Sequence, residues 1–239
     1  MGDKELLFFS VVIPANNEEH YIRETLDSLQ AIDYPADWYE VIVVENGSMD
    51  QTWGVIQGYR PAFFRSEHLA EAGVSRARNR GAQLVSPQCD WIIFLDADTI
   101  FKPPFLRELN GFLQANAGKN LGSGMVSLLP SPSTPRARAW YHFYNIANCL
   151  TLTTRSIQIV RRDVLDTLHY DEKLAFGEDT KLMYESHRIS RHFYLRTRSI
   201  SSSTRRFQKN GWWGQLFRWI YQHFLPYRKK VHVRYPVIR

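Results

Sequence analysis

The first half of the chain alternates continuous apolar runs with amphipathic segments. Continuous apolar runs are typical of strands buried on both faces of a sheet, and they cover residues 6–13, 41–44 and 91–95, with a shorter run at 62–64. Apolar residues at helical spacing predict two helices, over residues 17–30 and 73–84. We expect Pro14 to end the first strand. This alternation favours an α/β fold with a mostly parallel sheet and helices on both faces.

The second half of the chain has a less regular pattern. Helical spacing predicts four more helices, over residues 105–114, 136–148, 178–187 and 213–224. Further strands are expected at residues 121–128 and 157–160, and residues 131–135 form a Pro/Ser-rich loop in the sequence. No internal repeat, low-complexity tract or clean linker divides the chain.

Polar turns follow three of the predicted strands. These turns cover residues 14–18, 45–50 and 96–99. In open α/β sheets, ligands bind outside the carboxyl ends of the strands. We therefore expect the three turns to form one site.

The third turn carries two carboxylates, Asp96 and Asp98, directly after an apolar strand. Burying a charged group costs several kcal/mol unless the group is paired or bound to a metal. Carboxylate oxygens suit Mg²⁺ or Mn²⁺, which keep waters and substrate phosphates in their remaining positions. Taken alone, the two carboxylates also fit a strand that simply ends in an acidic turn.

Charge is distributed unevenly along the 239 residues. The net charge is +6, and 13 of the 30 Lys and Arg residues follow Glu185, whereas no Asp or Glu does. Such a basic segment fits contact with phosphates, anionic lipid or nucleic acid, and it also fits an ordinary solvated surface.

Cysteine content and hydropathy bear on localisation. Cys89 and Cys149 are the only cysteines, which gives no disulfide framework and fits a reducing compartment. No apolar stretch reaches the roughly 18 residues of a membrane-spanning helix, and the charged residues 1–5 do not resemble a signal peptide. We expect a cytoplasmic protein, peripheral at the cytoplasmic face of the membrane if its C-terminal segment binds lipid.

Five stretches resemble, in their order and spacing, the motifs of the family-two glycosyltransferases. These stretches are residues 10–18 (SVVIPANNE), 43–50 (VVENGSMD) with Thr52, 77–81 (ARNRG), 93–98 (IFLDAD) and 176–179 (FGED). The resemblance covers roughly residues 6–190. It implies the Rossmann-like, nucleotide-diphospho-sugar-binding fold called GT-A, with residues 1–195 as the catalytic domain and residues 196–239 as a basic, aromatic extension.

The resemblance also implies an activity and a set of binding residues. The activity is a metal-dependent, inverting transfer of a sugar from a nucleotide-diphosphate donor. Asp98 would hold Mn²⁺ or Mg²⁺ on the donor diphosphate, and the ion would neutralise charge on the leaving group. Asp96 would share the metal shell or contact the ribose or sugar of the donor. The donor nucleotide would be contacted by Pro14, Ala15, Asn17, Glu18, Glu45, Asn46, Arg78 and Asp96.

Two of these positions leave alternatives open. Asn46 stands where many relatives have a second acid, and its amide both donates and accepts hydrogen bonds, so the preferred base is undetermined. Ordinary turn chemistry before Gly47 is the alternative for Asn46. Arg78 would reach either the donor diphosphate or an acidic neighbour on a helix face.

The last of the five motifs places Glu178 and Asp179 at the start of a helix. The resemblance implies that Asp179 is the base that removes the proton of the acceptor hydroxyl, while Glu178 holds the acceptor or orients the base. A helix N-terminus also favours acidic residues because they complement its dipole. Residues 170–172 (YDE) resemble another stretch of the family and are expected to be structural.

The C-terminal segment carries paired arginines and an amphipathic stripe. Thr204-Arg205-Arg206-Phe207 is similar to a sequence that follows the acceptor helix in some bacterial-type members, so Arg205 and Arg206 would grip phosphate or lie in a basic surface loop. The stripe consists of Trp213, Leu216, Phe217, Ile220 and Phe224, with residues 228–230 (RKK) after it. It fits a helix on a membrane surface, and equally a helix packed on the catalytic domain or on a second subunit of a homo-oligomer.

Other functions fit parts of the sequence. A nucleotidyltransferase would carry a Gly-rich basic loop after the first strand, where this chain has PANNE. A retaining transferase and an inactive nucleotide-sugar-binding scaffold would share the five motifs. A nucleic-acid-binding module would use the basic, aromatic tail, but we find no nucleic-acid motif and expect no such partner. The expected partners are a nucleotide-sugar, by default a UDP-sugar, and a saccharide or lipid-linked acceptor.

Overall fold

The computed structural model describes residues 6–151 and 156–225. Its helices and strands, in chain order, are β1 (Phe9–Ala15), α1 (Ile22–Gln30), β2 (Tyr39–Asn46), α2 (Thr52–Gln57), β3 (Phe64–Leu69), α3 (Val74–Gln83), β4 (Trp91–Leu95), β5 (Thr99–Phe101), α4 (Phe105–Ala115), β6 (Leu121–Val126), β7 (Leu129–Ser131), α5 (Pro135–Thr151), β8 (Ile157–Arg161), α6 (Arg162–Leu165), α7 (Glu178–Ile189), β9 (Arg191–Leu195), β10 (Ile200–Ser203), α8 (Arg205–Asn210) and α9 (Trp212–His223).

Seven of the strands form one mixed sheet in the order β3-β2-β1-β4-β8-β6-β9. Parallel pairs join β3 to β2, β2 to β1, β1 to β4 and β6 to β9, and only β8 runs antiparallel to its two neighbours. The predicted α/β class with a mostly parallel sheet is therefore confirmed. The carboxyl ends of β1, β2 and β4 lie at one edge of this sheet, as the sequence predicted.

Alternate side chains of the central strands enter two hydrophobic clusters. Val11 and Ile13 of β1 belong to the larger cluster, and Val12, between them, belongs to the other. β1, β2 and β4 are buried along their whole lengths. Continuous apolar runs are thus explained by burial on both faces of the sheet. Within the described residues, no helix combines the length and the apolar character needed to cross a membrane.

The prediction that Pro14 ends the first strand was wrong. β1 continues to Ala15, and Pro14 lies opposite Val44 in the parallel ladder with β2. The ladder between β1 and β4 covers only residues 9–12 of β1. Pro14 therefore lies beyond the end of that second ladder, where its missing N–H removes no bond to β4. The following helix α1 begins at Ile22 rather than near residue 17, because residues 16–21 form the polar turn.

The third strand was also misplaced, since β3 covers Phe64–Leu69 and shares only Phe64 with the predicted segment. β3 is an edge strand of mixed burial and carries Arg65, Glu67 and His68. Because β3 contains these polar residues, it does not form the continuous apolar run that predicted the other strands. The short strands β5, β7 and β10 and the strand β9 were not predicted at all.

A second, three-stranded sheet ties the C-terminal part of the chain to the first half. Its order is β5-β10-β7, with β10 antiparallel to β5 and parallel to β7. β5 follows directly after Asp98, and β10 leads directly into α8. Residues 200–210 of the predicted extension consequently lie beside the acidic turn of β4.

Candidate active site

The turns after β1 and β2 are held together by hydrogen bonds between backbone and side chain. Asn17 N donates to Ser48 Oγ at 2.9 Å, and Glu18 N donates to Thr52 Oγ1 at 2.7 Å. Asp50 in turn accepts hydrogen bonds from the backbone and the hydroxyl of Thr52. The VVENGSMD stretch with Thr52 is therefore a brace that fixes the position of Glu18.

Asn17 adopts a left-handed backbone conformation, with φ at 56°. Asn is one of the few non-glycine residues that enter this region readily, because its short amide can bond nearby backbone. Its Oδ1 accepts a hydrogen bond from Met49 N at 2.9 Å. The strained turn directs the chain from the end of β1 towards Glu18 and the carboxyl edge of the sheet.

The amide of Asn46 braces three segments of backbone. Asn46 Nδ2 donates to Ala15 O at 2.9 Å, and Asn46 Oδ1 accepts a hydrogen bond from Gly73 N at 2.9 Å. The side chain is buried, with 2% of its residue surface exposed. An aspartate at this position could not donate a hydrogen bond to the carbonyl of Ala15, which gives a structural reason for the asparagine. Contact between Asn46 and a nucleotide base stays a prediction.

Glu45 is also committed to neighbouring groups. Its side chain is 1% exposed and forms a short contact with His68 of β3, and Ser48 N donates to its Oε1 at 2.6 Å. The His68 ring in turn lies 5.4 Å from the ring of Trp53. His68 was missed by the sequence analysis because β3 was misplaced, and no local pattern singled out Trp53 of α2.

Arg78 connects the acidic turn of β4 to the start of α7. Arg78 Nη2 lies 3.2 Å from Asp96 Oδ1, and Arg78 Nη1 donates to Glu178 Oε1 at 2.8 Å. The Arg78 side chain is 5% exposed. Its guanidinium also lies 5.1 Å from the centre of the Tyr170 ring, a cation–π contact. The structure thus gives Arg78 acidic neighbours, one of the two alternatives left open by the sequence.

Tyr170 of the YDE stretch packs next to this arrangement and holds it in place. Tyr170 is 1% exposed and packs edge-on against Phe94 of β4, with ring centroids 5.0 Å apart. Asn79, next to Arg78, accepts a hydrogen bond from Tyr170 N and donates one to Tyr170 O, each at 2.9 Å. Tyr170 therefore fixes the height and direction of the Arg78 side chain.

Arg205 brings the C-terminal segment to the same edge of the sheet. Arg205 Nη2 donates to Glu18 Oε1 at 2.6 Å, and Arg205 Nε lies 3.1 Å from Asp98 Oδ2. The guanidinium lies 4.3 Å from the centre of the Tyr21 ring. All three charged side chains are only 14–15% exposed. The structure therefore unites Glu18, Asp98 and Arg205 in one buried charge cluster.

Burial and mutual repulsion raise the pKa values of three carboxylates, those of Glu18, Asp96 and Asp98. The pKa of Asp96 is raised to about 6, chiefly by burial and secondarily by Asp98 and Glu178, against the lowering effect of Arg78 and Arg206. Burial likewise raises the pKa of Asp98 and of Glu18, and Arg205 and Arg206 oppose both shifts. Arg206 thus acts electrostatically on all three acids. Carboxylates under such mutual repulsion gain from an added cation.

The carboxylate oxygens at this site are suitable ligands for a divalent metal ion. Asp96 and Asp98 offer carboxylate oxygens, and Glu18 Oε2 is buried with no hydrogen-bond partner among the described residues. No three acidic, His or Cys side chains in that part of the chain converge into a ready-made cage. Mg²⁺ and Mn²⁺ commonly take phosphate and water as further ligands, so a few carboxylate oxygens from the protein can suffice. Arg205 pairs with Asp98 at this site.

Glu178 and Asp179 lie at the first turn of α7, after Gly177 in a left-handed conformation with φ at 81°. Glu178 is turned towards Arg78. Asp179 Oδ1 accepts a hydrogen bond from Thr180 N at 2.6 Å. The two acids therefore have different surroundings, the first in a buried ion pair and the second bonded to its own helix.

A cavity of about 190 Å³ is lined by Asp98 together with Glu24, Ser131 and Gln208.

The sequence is similar to those of known proteins. The sequence profile of glycosyl transferase family 2 matches residues 10–166. The poly(ribitol-phosphate) β-N-acetylglucosaminyltransferase TarS of Staphylococcus aureus is 29% identical over 109 residues, which are 45% of this chain and 19% of TarS. The glycosyltransferase AglE of Haloferax volcanii is 28% identical over 169 residues, 67% of this chain and 55% of AglE. The chain thus spans about a fifth to about half of these curated relatives.

Solved structures share the fold at low sequence identity. TarS residues 1–349 in complex with UDP-GlcNAc has a TM-score of 0.68 at 20% identity, over 82% of this chain and 58% of that one. The mannosyltransferase PcManGT of Pyrobaculum calidifontis, in complex with GDP-Man and Mn²⁺, has a TM-score of 0.65 at 18% identity, over 95% and 69%. With its GT-A fold and a family profile that includes the β1 turn, the β2 turn and the acidic turn of β4, the chain belongs to glycosyl transferase family 2.

Proposed function

We propose that the protein transfers a sugar from a nucleotide-diphosphate donor to an acceptor hydroxyl, with inversion at the anomeric carbon. The main support for this proposal is the position of Arg78. Arg78 holds Asp96, after β4, and Glu178, at the start of α7, on a single buried guanidinium. The donor-side acidic turn and the acceptor-side acidic motif are therefore parts of one site.

The donor is proposed to bind along the carboxyl edge of β1, β2 and β4. Pro14, Ala15, Asn17 and Glu18 supply one wall, and Glu45, Asn46 and Arg78 border the other. TarS has been solved with UDP-GlcNAc and PcManGT with GDP-Man, so the fold accepts more than one base. A UDP-sugar is our first expectation for this chain.

Asp98, with Asp96 beside it, is proposed to hold Mn²⁺ or Mg²⁺ on the donor diphosphate. When bound, such an ion neutralises the negative charge that builds on the departing nucleoside diphosphate. PcManGT has been solved with Mn²⁺. Arg205, which pairs with Asp98, and Arg206, which acts electrostatically on both acids, are proposed to bind phosphate oxygens, because a planar guanidinium can donate two hydrogen bonds to phosphate.

Asp179 is proposed to accept the proton of the acceptor hydroxyl. The hydroxyl oxygen of the acceptor forms a bond to the anomeric carbon as the bond from that carbon to the diphosphate oxygen breaks. The configuration at the anomeric carbon is thereby inverted. Glu178, neutralised by Arg78, is expected to orient the acceptor beside Asp179. A carboxylate in this role must be ionised to accept the proton.

The acceptor is proposed to be a saccharide or a lipid-linked glycan of the cell envelope, and the protein to work in the cytoplasm. Among its relatives are TarS and the minor teichoic acid biosynthesis protein GgaA of Bacillus subtilis. We place the catalytic domain at residues 1–195 and a basic, aromatic extension at residues 196–239. Contact of that extension with a membrane or with a second subunit is a further part of the proposal.

A thermal-shift screen tests the proposal directly. UDP, GDP, dTDP and CDP are each added with and without Mn²⁺, and a ligand that binds the folded state raises the unfolding midpoint by mass action. One nucleoside diphosphate that acts only with Mn²⁺ would support the proposal and identify the donor class. No shift with any of the four, in a folded sample, would favour an inactive scaffold. Analysis of the product anomer then separates inverting from retaining transfer.

A further inference from the structure

α9 turns most of its large apolar side chains away from the domain. Its buried face consists of Gln215 and Trp219, and Trp219 stacks on Tyr144 of α5 with ring centroids 5.8 Å apart. The outward side chains are between 45% and 80% exposed, and they are Trp213, Phe217, Ile220, Tyr221 and Phe224. The amphipathic stripe predicted from sequence therefore faces outward, while the opposite side of the helix packs on the protein.

α5 carries a second apolar stripe that the sequence analysis did not identify. Phe143, Ile146 and Leu150 are 51%, 49% and 79% exposed. Their spacing of three and four residues places them on one side of the helix. Tyr141 and Tyr144 lie on the buried side. α5 therefore packs through tyrosines and exposes aliphatic and phenyl groups.

The Trp140 ring links the ends of the two stripes, and we treat the two stripes as one surface. The Trp140 ring contacts Phe143 of the α5 stripe at 6.1 Å and Trp213 of the α9 stripe at 5.4 Å. We name this surface the α5–α9 apolar face, defined by Phe143, Ile146, Leu150, Trp213, Phe217, Ile220, Tyr221 and Phe224. Contiguous exposed apolar surface of this kind marks an interaction site.

The charged residues on the two helices of the α5–α9 apolar face are all basic. Neither α5 nor α9 contains an acidic residue, and residues 109–162 and 186–239 contain no Asp or Glu at all. Arg136 and Arg138 lie at the start of α5, and Arg218 lies on α9. In a symmetric dimer formed through this face, the two sets of arginines would be brought together and would repel each other.

We propose that the α5–α9 apolar face binds the surface of an anionic lipid bilayer. Aromatic side chains enter the boundary between head groups and acyl chains, and each Lys or Arg near an anionic leaflet adds electrostatic attraction. The face combines both elements on one side of the protein. The inference extends the membrane contact proposed for the C-terminal helix to a two-helix surface in which α5 contributes three of the eight apolar residues.

The position of the face links it to the candidate active site. Tyr184 of α7 donates from its hydroxyl to Thr151 O, at the end of α5, at 3.3 Å. α7 begins with Glu178 and Asp179, and α8, which carries Arg205, leads directly into α9. Binding of the face to a bilayer would bring the acceptor side of the site to the lipid surface. This last step rests on the proposed transfer reaction, whereas lipid binding itself does not.

Vesicle co-sedimentation of the full chain tests the proposal. The vesicles contain phosphatidylcholine alone, or phosphatidylcholine with phosphatidylglycerol at about three to one. Two double variants are compared, Phe143→Ser with Leu150→Ser on α5, and Phe217→Ser with Phe224→Ser on α9. Ile189→Ser is the matched control, because Ile189 is 53% exposed and ends α7 at the opposite edge of the sheet from the polar turns.

We expect the wild-type chain to pellet with the phosphatidylglycerol vesicles and much less with phosphatidylcholine alone. Each double variant should lose at least about tenfold in apparent affinity, since two apolar side chains no longer enter the bilayer, while Ile189→Ser should bind like the wild type. Circular dichroism of each variant checks that it is folded.

Several results would overturn the proposal. It fails if the wild type does not pellet with the anionic vesicles, or if the α5 variant binds as well as the wild type. It also fails if light scattering shows a dimer that the α9 variant converts to a monomer. Nucleoside-diphosphate binding, measured by thermal shift on the same samples, shows separately whether the proposed transferase site is intact.

Discussion

Arg78 Nη1 donates a hydrogen bond to Glu178 Oε1 at 2.8 Å, across 100 positions of sequence. Both groups are largely buried, with side chains 5% and 12% exposed. Because Asp96 lies on the same guanidinium, loss of the arginine would remove the cation that joins these two carboxylates. The salt bridge therefore determines both the stability of the fold and the shape of the site.

Replacement of Arg78 by Met is expected to destabilise the protein strongly. Removing one partner of a buried ion pair costs about 3–5 kcal/mol, because the remaining charge is left without compensation. Urea unfolding measures the difference. Arg107→Met is the matched control: Arg107 pairs with Asp33, and both side chains are more than half exposed, so its loss should cost about 1 kcal/mol or less. Equal effects of the two substitutions would contradict the role given to Arg78.

The polar turns and the central strands β1, β2 and β4 were predictable because the sequence encodes them locally. The strands β1, β2 and β4 are continuous apolar runs, and their turns carry polar residues at fixed spacing. Arg205, however, reaches Glu18 across 187 positions, and no local pattern specifies such a contact. The same limit applies to Asn46, whose amide bonds to Ala15 and Gly73. The sequence shows the residue type there, and only the fold shows which backbone groups it satisfies.

Arg205→Gln is expected to change metal and nucleotide binding in opposite directions. Arg205 neutralises Glu18 and Asp98 when no ion is bound, so its removal should strengthen Mn²⁺ binding to the nucleotide-free protein several-fold. The same change should weaken binding of the nucleoside diphosphate, because a phosphate-binding guanidinium is lost. Titration calorimetry with MnCl₂, and separately with UDP and Mn²⁺, measures both.

Lys209→Gln is the control for this experiment, since Lys209 lies on the same helix, α8, and is exposed. It removes one positive charge without touching either acid. If Arg205→Gln left Mn²⁺ affinity unchanged or lowered it, Asp98 would not be the carboxylate that exchanges Arg205 for a metal ion.

Asp179→Asn is expected to abolish sugar transfer while sparing donor binding. The amide has the size of the carboxylate but cannot accept the proton of the acceptor hydroxyl, so turnover should fall by about a hundredfold or more. Glu178→Gln should instead lower both turnover and stability, since it breaks the buried pair with Arg78. Transfer assays and thermal shift with the nucleoside diphosphate distinguish the two variants. Near-normal turnover of Asp179→Asn would show that the base lies elsewhere.

Gly81→Ala is expected to destabilise the fold. A Cβ at Gly81, in α3, would fall well inside contact distance of Val12 Cγ1, and Val12 is fully buried in β1 with a stiff, branched side chain. Overpacking of this kind costs about 1–3 kcal/mol. Gly111→Ala in α4 is the control, because its Cβ would meet nothing within 4 Å. Helix propensity should then stabilise it by up to about 1 kcal/mol, and urea unfolding should show opposite signs.

Acid destabilisation of the fold is expected to depend on His192. Burial, assisted by the nearby His187, lowers the pKa of His192 to about 4 from an ordinary value of 6.5. Its Nδ1 lies 3.2 Å from Ser123 Oγ, and its Nε2 is buried without a hydrogen-bond partner among the described residues. An added proton on the folded protein would therefore be poorly solvated.

The unfolded chain binds that proton below about pH 6.5, whereas the folded protein resists it until about pH 4. Stability must then fall as pH decreases through this window and level off below it, as far as this histidine is concerned. His192→Gln should reduce the loss in the free energy of unfolding between pH 7.5 and pH 4.5, measured in urea at each pH. The exposed His169, replaced in the same way, should leave that loss unchanged. An unaltered pH dependence in His192→Gln would show that the imidazole is already solvated in the folded state.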